Sequence, residues 1–310
     1  MTTNDTNVST PIADTIAGNV TAPSASAPAI SLGRRIVEFP LTRIVLAVFC
    51  FLVPFLIIQA ASSKFFDEKL YTKIGQLCGA FIGYGCYVWY VRKVERRSAL
   101  ELSLKGVVSE FSTGFVLGGA MVCMTVGVIA LLGGFQITAK SPWNVIMIPL
   151  LTHLTIGMVE EMLLRGVFFR VVQQSLGSWL ALLTSAVVFG AMHLVNDNIT
   201  VLGFASITAA GLLLAAAFMV TGRLWLCVAM HAAWNFFQDG IFSVSVSGHP
   251  ARNGLYIGKM NGPDWLTGGA FGIEGSAIAL AVVVLVTLAL LAMAKRNGRI
   301  VLPFWQRAGS

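Results

Sequence analysis

Charge is scarce in this 310-residue chain. Asp, Glu, Lys and Arg make up 11% of it, against about 25% in an ordinary soluble domain, while 56% of the residues are hydrophobic and the mean hydropathy is +0.79. A fold of this length in water would need far more polar surface, so the composition excludes a soluble enzyme, a nucleic-acid binder and a disordered scaffold. Cysteine is also sparse. Cys50, Cys78, Cys86, Cys123 and Cys227 all lie in apolar stretches and none forms a CxxC pair, which excludes a disulfide framework and a thiolate metal site. HExxH, the usual helical signature of a zinc protease, is missing. There is no internal repeat, no β-barrel alternation, and no connection long enough to hold a soluble domain.

Long apolar runs take up most of the chain. A helical span needs about 20 apolar residues. Eight uncharged stretches meet or approach this: 44–61, 74–91, 111–132, 144–159, 179–195, 201–221, 224–238 and 276–294. The pattern predicts an all-α polytopic membrane protein of about eight transmembrane helices, with residues 36–310 as one transmembrane domain. Residues 1–35 are rich in Thr, Ala, Ser and Asn and read as a disordered cytoplasmic tail. Gly114, Gly118 and Gly119 make a small-residue pattern suited to close helix packing, and the latter half of 92–110 reads as a short interfacial helix. With the amino terminus inside and eight crossings, 15 of the 21 Lys and Arg fall in cytoplasmic segments. The positive-inside rule then predicts both termini cytoplasmic, in the cell membrane if the source is bacterial. The net charge of +7 reports this topology and an affinity for the anionic headgroups of the lipid bilayer, not nucleic acid.

Ionisable groups inside an apolar span cost about 2.5–3.5 kcal/mol each on insertion scales and mark function by default. Here they concentrate in three places. Glu160, Glu161 and Arg165 continue the fourth span. Glu161 and Arg165 are spaced i, i+4 and can pair on a helix, which leaves Glu160 free to act as a base. His193 closes Phe189-Gly-Ala-Met-His in the fifth span, and His231 and Asn235 share a helix face in the seventh. The turn signal Ser175-Leu-Gly-Ser178 lies midway between Glu160 and His193, which an antiparallel hairpin would bring level at about 25 Å from the turn; His231 is only about 13 Å from the turn near Gly222. The 4–5 hairpin must then protrude beyond the 6–7 hairpin, with 160–176 helical and the site in a cytoplasm-facing cavity.

These residues offer no serine–base pair and no adjacent cysteine, so covalent catalysis is not indicated. Glu160 can take a proton from water, His193 can share that water or ligate a metal, and His231 with Asn235 can donate to a developing oxyanion. Glu160, His193 and His231 could also hold zinc with an open position. His153, two turns before Glu160, reads as a packed or cavity-lining residue; Asp239 and Asp197 read as span-boundary residues, His249 as solvated, and Trp234 as lining the cavity beside Asn235.

Glu160-Glu161-x-x-x-Arg165, Phe189-x-x-x-His193 and His231-x-x-x-Asn235 resemble the three motifs of the CPBP intramembrane proteases, which comprise the type II CAAX prenyl proteases and the bacteriocin-processing or immunity relatives of the Abi family. The resemblance covers about residues 140–240, spans four to seven. It implies an α-helical membrane endopeptidase, of metallo- or glutamate type, acting on a membrane protein or peptide that is lipidated in some members. Glu160 would activate water with His193, His231 and Asn235 would form the oxyanion side, and Glu161 with Arg165 would be the structural pair. The alternative is a non-proteolytic scaffold or bacteriocin-immunity protein that keeps the motifs for structure; a proton-coupled transporter would predict inverted repeats, and the chain has none.

Overall fold

The computed structural model describes residues 31–307 except residue 253. Most of the segment read as a disordered tail, residues 1–30, lies outside the described residues. Its last residues belong to a short helix, α1 (Leu32–Glu38), whose first turn is capped by Ser31 Oγ accepting from the Arg34 N–H.

Every apolar stretch folds as helix: α2 (Pro40–Phe65), α3 (Lys69–Tyr90), α4 (Val107–Leu131), α5 (Met147–Glu161), α6 (Arg170–Met192), α7 (Val201–Thr221), α8 (Trp225–Phe236) and, after a short α9 (Asp264–Thr267), α10 (Ala277–Arg296). Five helical runs among the described residues are long and apolar enough to cross a membrane. One of them, Trp143–Met192, contains both α5 and α6. That run breaks at Gly177, whose φ of 82° is a conformation that side chains other than glycine rarely adopt. The chain reverses there, because Arg165 lies 5.0 Å over the ring of Phe189, and these two residues are equidistant from Gly177. α3 and α8 fall outside the five. With 12 residues α8 spans about 18 Å, and Leu226 to Phe236 are all buried, so it is shielded by protein.

The glycines of α4 set its packing. A Cβ on Gly114 would stand 2.3 Å from the Leu226 carbonyl oxygen, and one on Gly118 2.4 Å from that of Met230. α4 therefore seats directly against the backbone of α8, as the small-residue spacing led us to expect.

A two-stranded antiparallel sheet was not foreseen. β1 (Phe135–Lys140) pairs with β2 (Tyr256–Met260), from Phe135 opposite Met260 to Lys140 opposite Tyr256. It ties the long loop after α8 to the end of α4. The segments 193–200 and 241–276 join the sheet at one end of the bundle; the turns at Gly177 and Gly222 and the basic segment 91–106 mark the other.

At that second end the expected interfacial helix is a single 3-10 turn, Leu100–Leu102. Around it lies a buried ion cluster. Glu95 accepts from Arg43 at 3.1 Å and Arg170 at 3.3 Å, and Glu101 accepts from Arg97 at 2.7 Å and from the Tyr87 hydroxyl. Burial opposes the charge on Glu95, but Arg170, Arg43 and Arg97 together hold its carboxyl down to about 2. The Leu224 N–H donates to the Glu101 carbonyl at 3.0 Å, so the cluster also anchors the start of α8.

Replacing Gly118 by alanine should push α8 away from α4, because a backbone carbonyl cannot turn aside as a side-chain tip can. The expected loss is about 1–3 kcal/mol, read as a lowered midpoint in thermal unfolding in detergent; an unchanged midpoint would show the interface to be looser than described.

Candidate active site

Glu161 is the last residue of α5 and is fully buried. Immediately after it the helix widens into a π-helical segment, Met162–Phe169, a distortion common at functional sites. Arg165, also fully buried, donates from Nη1 to Glu161 Oε1 at 2.9 Å and from Nη2 to the Gly211 carbonyl of α7 at 2.8 Å. The i, i+4 pair read from the sequence is thus formed. A third partner was not read from it: His231 Nδ1 lies 2.8 Å from the same Glu161 Oε1. A carboxylate only accepts, so Nδ1 carries the hydrogen, and the other ring nitrogen, Nε2, faces Glu160 Oε2 at 3.9 Å.

Glu160 is in a different position. Its side chain is 26% exposed and lines a cavity of about 280 Å³, and its Oε2 has no hydrogen-bond partner among the described residues. His193 and Asn235 line the same cavity. His193 Nδ1 is 2.8 Å from the Phe189 carbonyl, which only accepts, so Nδ1 holds the hydrogen and Nε2 is the nitrogen left for other partners. The structure therefore brings Glu160, His193, His231 and Asn235 to one cavity and keeps Glu161 and Arg165 behind its wall. Phe189 joins the three motifs: its ring centroid is 4.7 Å from that of His193 and 6.0 Å from that of His231, and Arg165 lies over its face.

A zinc ion needs about three protein donors converging on one point. Among the described residues no group of three His, Cys, Asp or Glu side chains is arranged to hold a metal ion, although His231 and His193 each engage protein through Nδ1 alone.

The expected offset between hairpins holds where it matters: Glu161 and His231 meet although one lies 16 residues from Gly177 and the other nine from Gly222. The expectation of a cytoplasm-facing cavity does not sit with both termini inside. The cavity is lined by Asn196, Val246, Ser247, His249, Pro250, Arg252 and Glu274, from the end of the bundle opposite Gly177, and His249, Pro250 and Arg252 are exposed at its mouth. The reason is length. A site about 25 Å along a helical hairpin from its turn has nearly traversed a hydrocarbon core of about 30 Å, and the turn at Gly177 is packed against Val301 to Pro303 instead of reaching far into solvent.

Three cavity groups had a different meaning in sequence. Asp239, read as a boundary residue, is buried and paired with His153 at 3.0 Å. His249, read as solvated, is exposed but belongs to the mouth. Glu274 was not singled out at all. It accepts from Trp234 Nε1 at 2.7 Å and Gln238 Nε2 at 3.2 Å, and from the Ser247 N–H at 2.7 Å and its hydroxyl at 2.6 Å. It pins the long loop to α8 at the cavity wall, and the available signal was a lone acid in the apolar, glycine-rich stretch 265–276.

Arg165→Met should leave the Glu161 charge buried with only His231 beside it. Breaking a buried pair in this way costs about 3–5 kcal/mol, expected as a large drop in thermal stability in detergent; a stability near that of the unaltered protein would mean that Glu161 is not ionised in the fold.

Among comparisons with known proteins, residues 142–237 match the family model described as type II CAAX prenyl endopeptidase Rce1-like. No curated protein and no solved structure matches the chain. The match begins just before α5 and ends just after α8, so it takes in both glutamates, both histidines, Arg165 and Asn235. Residues 142–237 are thus similar to the Rce1-like domain of the CPBP, or CAAX, proteases, and they lie in a multi-pass membrane protein.

Proposed function

We propose that the protein is an intramembrane endopeptidase in which Glu160 activates the attacking water. The observation that carries this reading is the division of labour between adjacent carboxylates: Glu161 is fully buried and committed through Oε1 to Arg165 and His231, while Glu160 is 26% exposed and lines the cavity. A water between Glu160 and the lone pair of His193 Nε2 would give its proton to Glu160 as its oxygen attacks the scissile carbonyl. The negative charge that develops on the carbonyl oxygen would be met by the Asn235 amide and by His231. With Nδ1–H already donated to Glu161, His231 offers a second donor only as the imidazolium, for which the two flanking carboxylates are the counter-charges. Glu160 would then pass its proton to the leaving amine. The family description and the membrane setting support a membrane-associated protein or peptide as substrate, with a lipidated one in keeping with the CAAX name.

The charge distribution supports termini on the cytoplasmic side, and this arrangement opens the cavity on the opposite face. Single cysteines at Ala251, beside the mouth, and at Asn297, beyond α10, test it: an impermeant maleimide added to intact cells should label the first and spare the second until the membrane is breached. The reverse pattern would overturn the orientation.

Cleavage of a peptide library that includes prenylated members, by purified protein in detergent, tests the chemistry. Glu160→Gln should lower the rate by about 10²–10⁴-fold with folding unchanged. Unchanged cleavage would remove Glu160 from the centre of the site, and a cellular phenotype that survives the substitution would favour a non-proteolytic scaffold.

A further inference from the structure

At the end of the bundle away from the cavity, the segment that leaves α3 shows two faces. Tyr87, Tyr90, Val91 and the side chain of Glu95 are buried. Trp89, Arg92, Lys93 and Arg96, spaced i, i+3, i+4 and i+7, are all exposed. Arg96 ends the π-helical turn Val91–Glu95 in the left-handed region, at φ 55° and ψ 41°, where a residue with a side chain is uncommon. The turn sends Arg97 inward to Glu101 at 2.7 Å and leaves Arg96 outside.

No acid at this end is left to answer the outward cations. Among the described residues Glu38 is paired with Arg34, Glu95 with Arg43 and Arg170, Glu101 with Arg97, and Glu110 with Arg223. The buried cluster itself sets Arg43, Arg97 and Arg170 against Glu95 and Glu101, and Arg170 Nη1 has no acceptor there. Arg92, Lys93 and Arg96 make no side-chain hydrogen bond or ion pair among the described residues. The Arg34 guanidinium donates to the Val94 carbonyl at 2.8 Å, which holds α1 against this turn.

Depth identifies the partner. α2 begins at Pro40 and α3 ends at Tyr90, so the exposed indole of Trp89 stands at the edge of the acyl chains, where tryptophan is enriched. Arg92, Lys93 and Arg96 follow it by three to seven residues, or about 5–10 Å along a helix axis, and a headgroup layer is about 5–8 Å deep on each side of a bilayer. Cations at that depth, two of them forks that match phosphate oxygens, complement the phosphodiester of an acidic lipid. We propose that Trp89, Arg92, Lys93 and Arg96 form a docking site for the headgroup of an anionic phospholipid. The inference depends neither on the proteolytic reading nor on which compartment this end faces.

Native mass spectrometry of the full-length protein in a neutral detergent tests it, with phosphatidylglycerol and phosphatidylcholine of identical acyl chains added in equal amounts. A Lys or Arg near a leaflet surface strengthens attachment of an anionic lipid about fivefold, so the first lipid retained should be phosphatidylglycerol by about tenfold or more. Combining Arg92→Gln, Lys93→Gln and Arg96→Gln should bring the ratio close to one with the unfolding midpoint unchanged. Arg92→Lys with Arg96→Lys should keep most of the preference, and Trp89→Ala should weaken retention of both lipids without altering their ratio. Neutralising Lys64, Lys69 and Lys259, exposed at the cavity end, should leave the ratio as it is in the unaltered protein. Equal retention of the two lipids by the unaltered protein overturns the proposal and leaves the face to an acidic protein partner. A preference that survives the triple substitution, or that the cavity-end variant loses to the same extent, overturns it as well, the latter by showing net charge to be enough. Exchanging chloride for inorganic phosphate at equal ionic strength should not displace the lipid; displacement would assign the cations to a free anion instead.

Discussion

The buried carboxylate of Glu161 fixes how the helices of the site stand relative to one another. One of its oxygens accepts from Arg165 and from His231, and Arg165 extends the connection to the Gly211 carbonyl. Three helices, α5, α7 and α8, therefore share one charge that no water can reach. An ionised group in such a place is tolerated only with its partners in position, so sliding any of these helices along its neighbour would expose an unpaired charge to an apolar interior. The register that results sets His231 opposite Glu160 and leaves Glu160 as the carboxylate that lines the cavity. Phe189 fits between the ions as an apolar plate, with Arg165 over its face and both histidines at its edges.

Much of this was legible in the residues. The helices follow the apolar runs closely, and 201–221 coincides with α7, because a run without charge in a bilayer has few alternatives to helix. The Glu161–Arg165 pair followed from spacing, the placing of Glu160 and His193 on one cavity from the position of Gly177, and the seat of α4 from its glycines. What stayed hidden depends on contacts far apart in sequence. Nothing local to His231 says that it turns one nitrogen to Glu161, 70 residues earlier. The β1–β2 pairing joins six residues to five across more than 110 positions and has too little alternation to announce itself. Asp239 and His153 looked like a boundary charge and a packed ring because each was weighed alone; 86 residues separate them, and they gain their meaning as a pair.

The two ends of the bundle handle polarity differently. At the Gly177 end, arginines outnumber the carboxylates they surround, and Glu95 and Glu101 tie together segments that precede and follow the membrane helices. At the cavity end the acids are satisfied singly: Asp239 by His153 and a backbone amide, Glu274 by an indole, an amide and a serine. The first arrangement braces the fold against the headgroups. The second uses its hydrogen bonds to shape the wall of the cavity that Glu160 and Asn235 line.

α8 carries His231 and Asn235, yet Leu226 through Phe236 are all shielded by neighbouring helices. Its surroundings are protein and not lipid. The two polar side chains it holds are thereby insulated from the acyl chains: a change in lipid saturation or bilayer thickness can reach them only second-hand, through α4, α5 and α7, and their electrostatic surroundings should stay constant from one membrane to another.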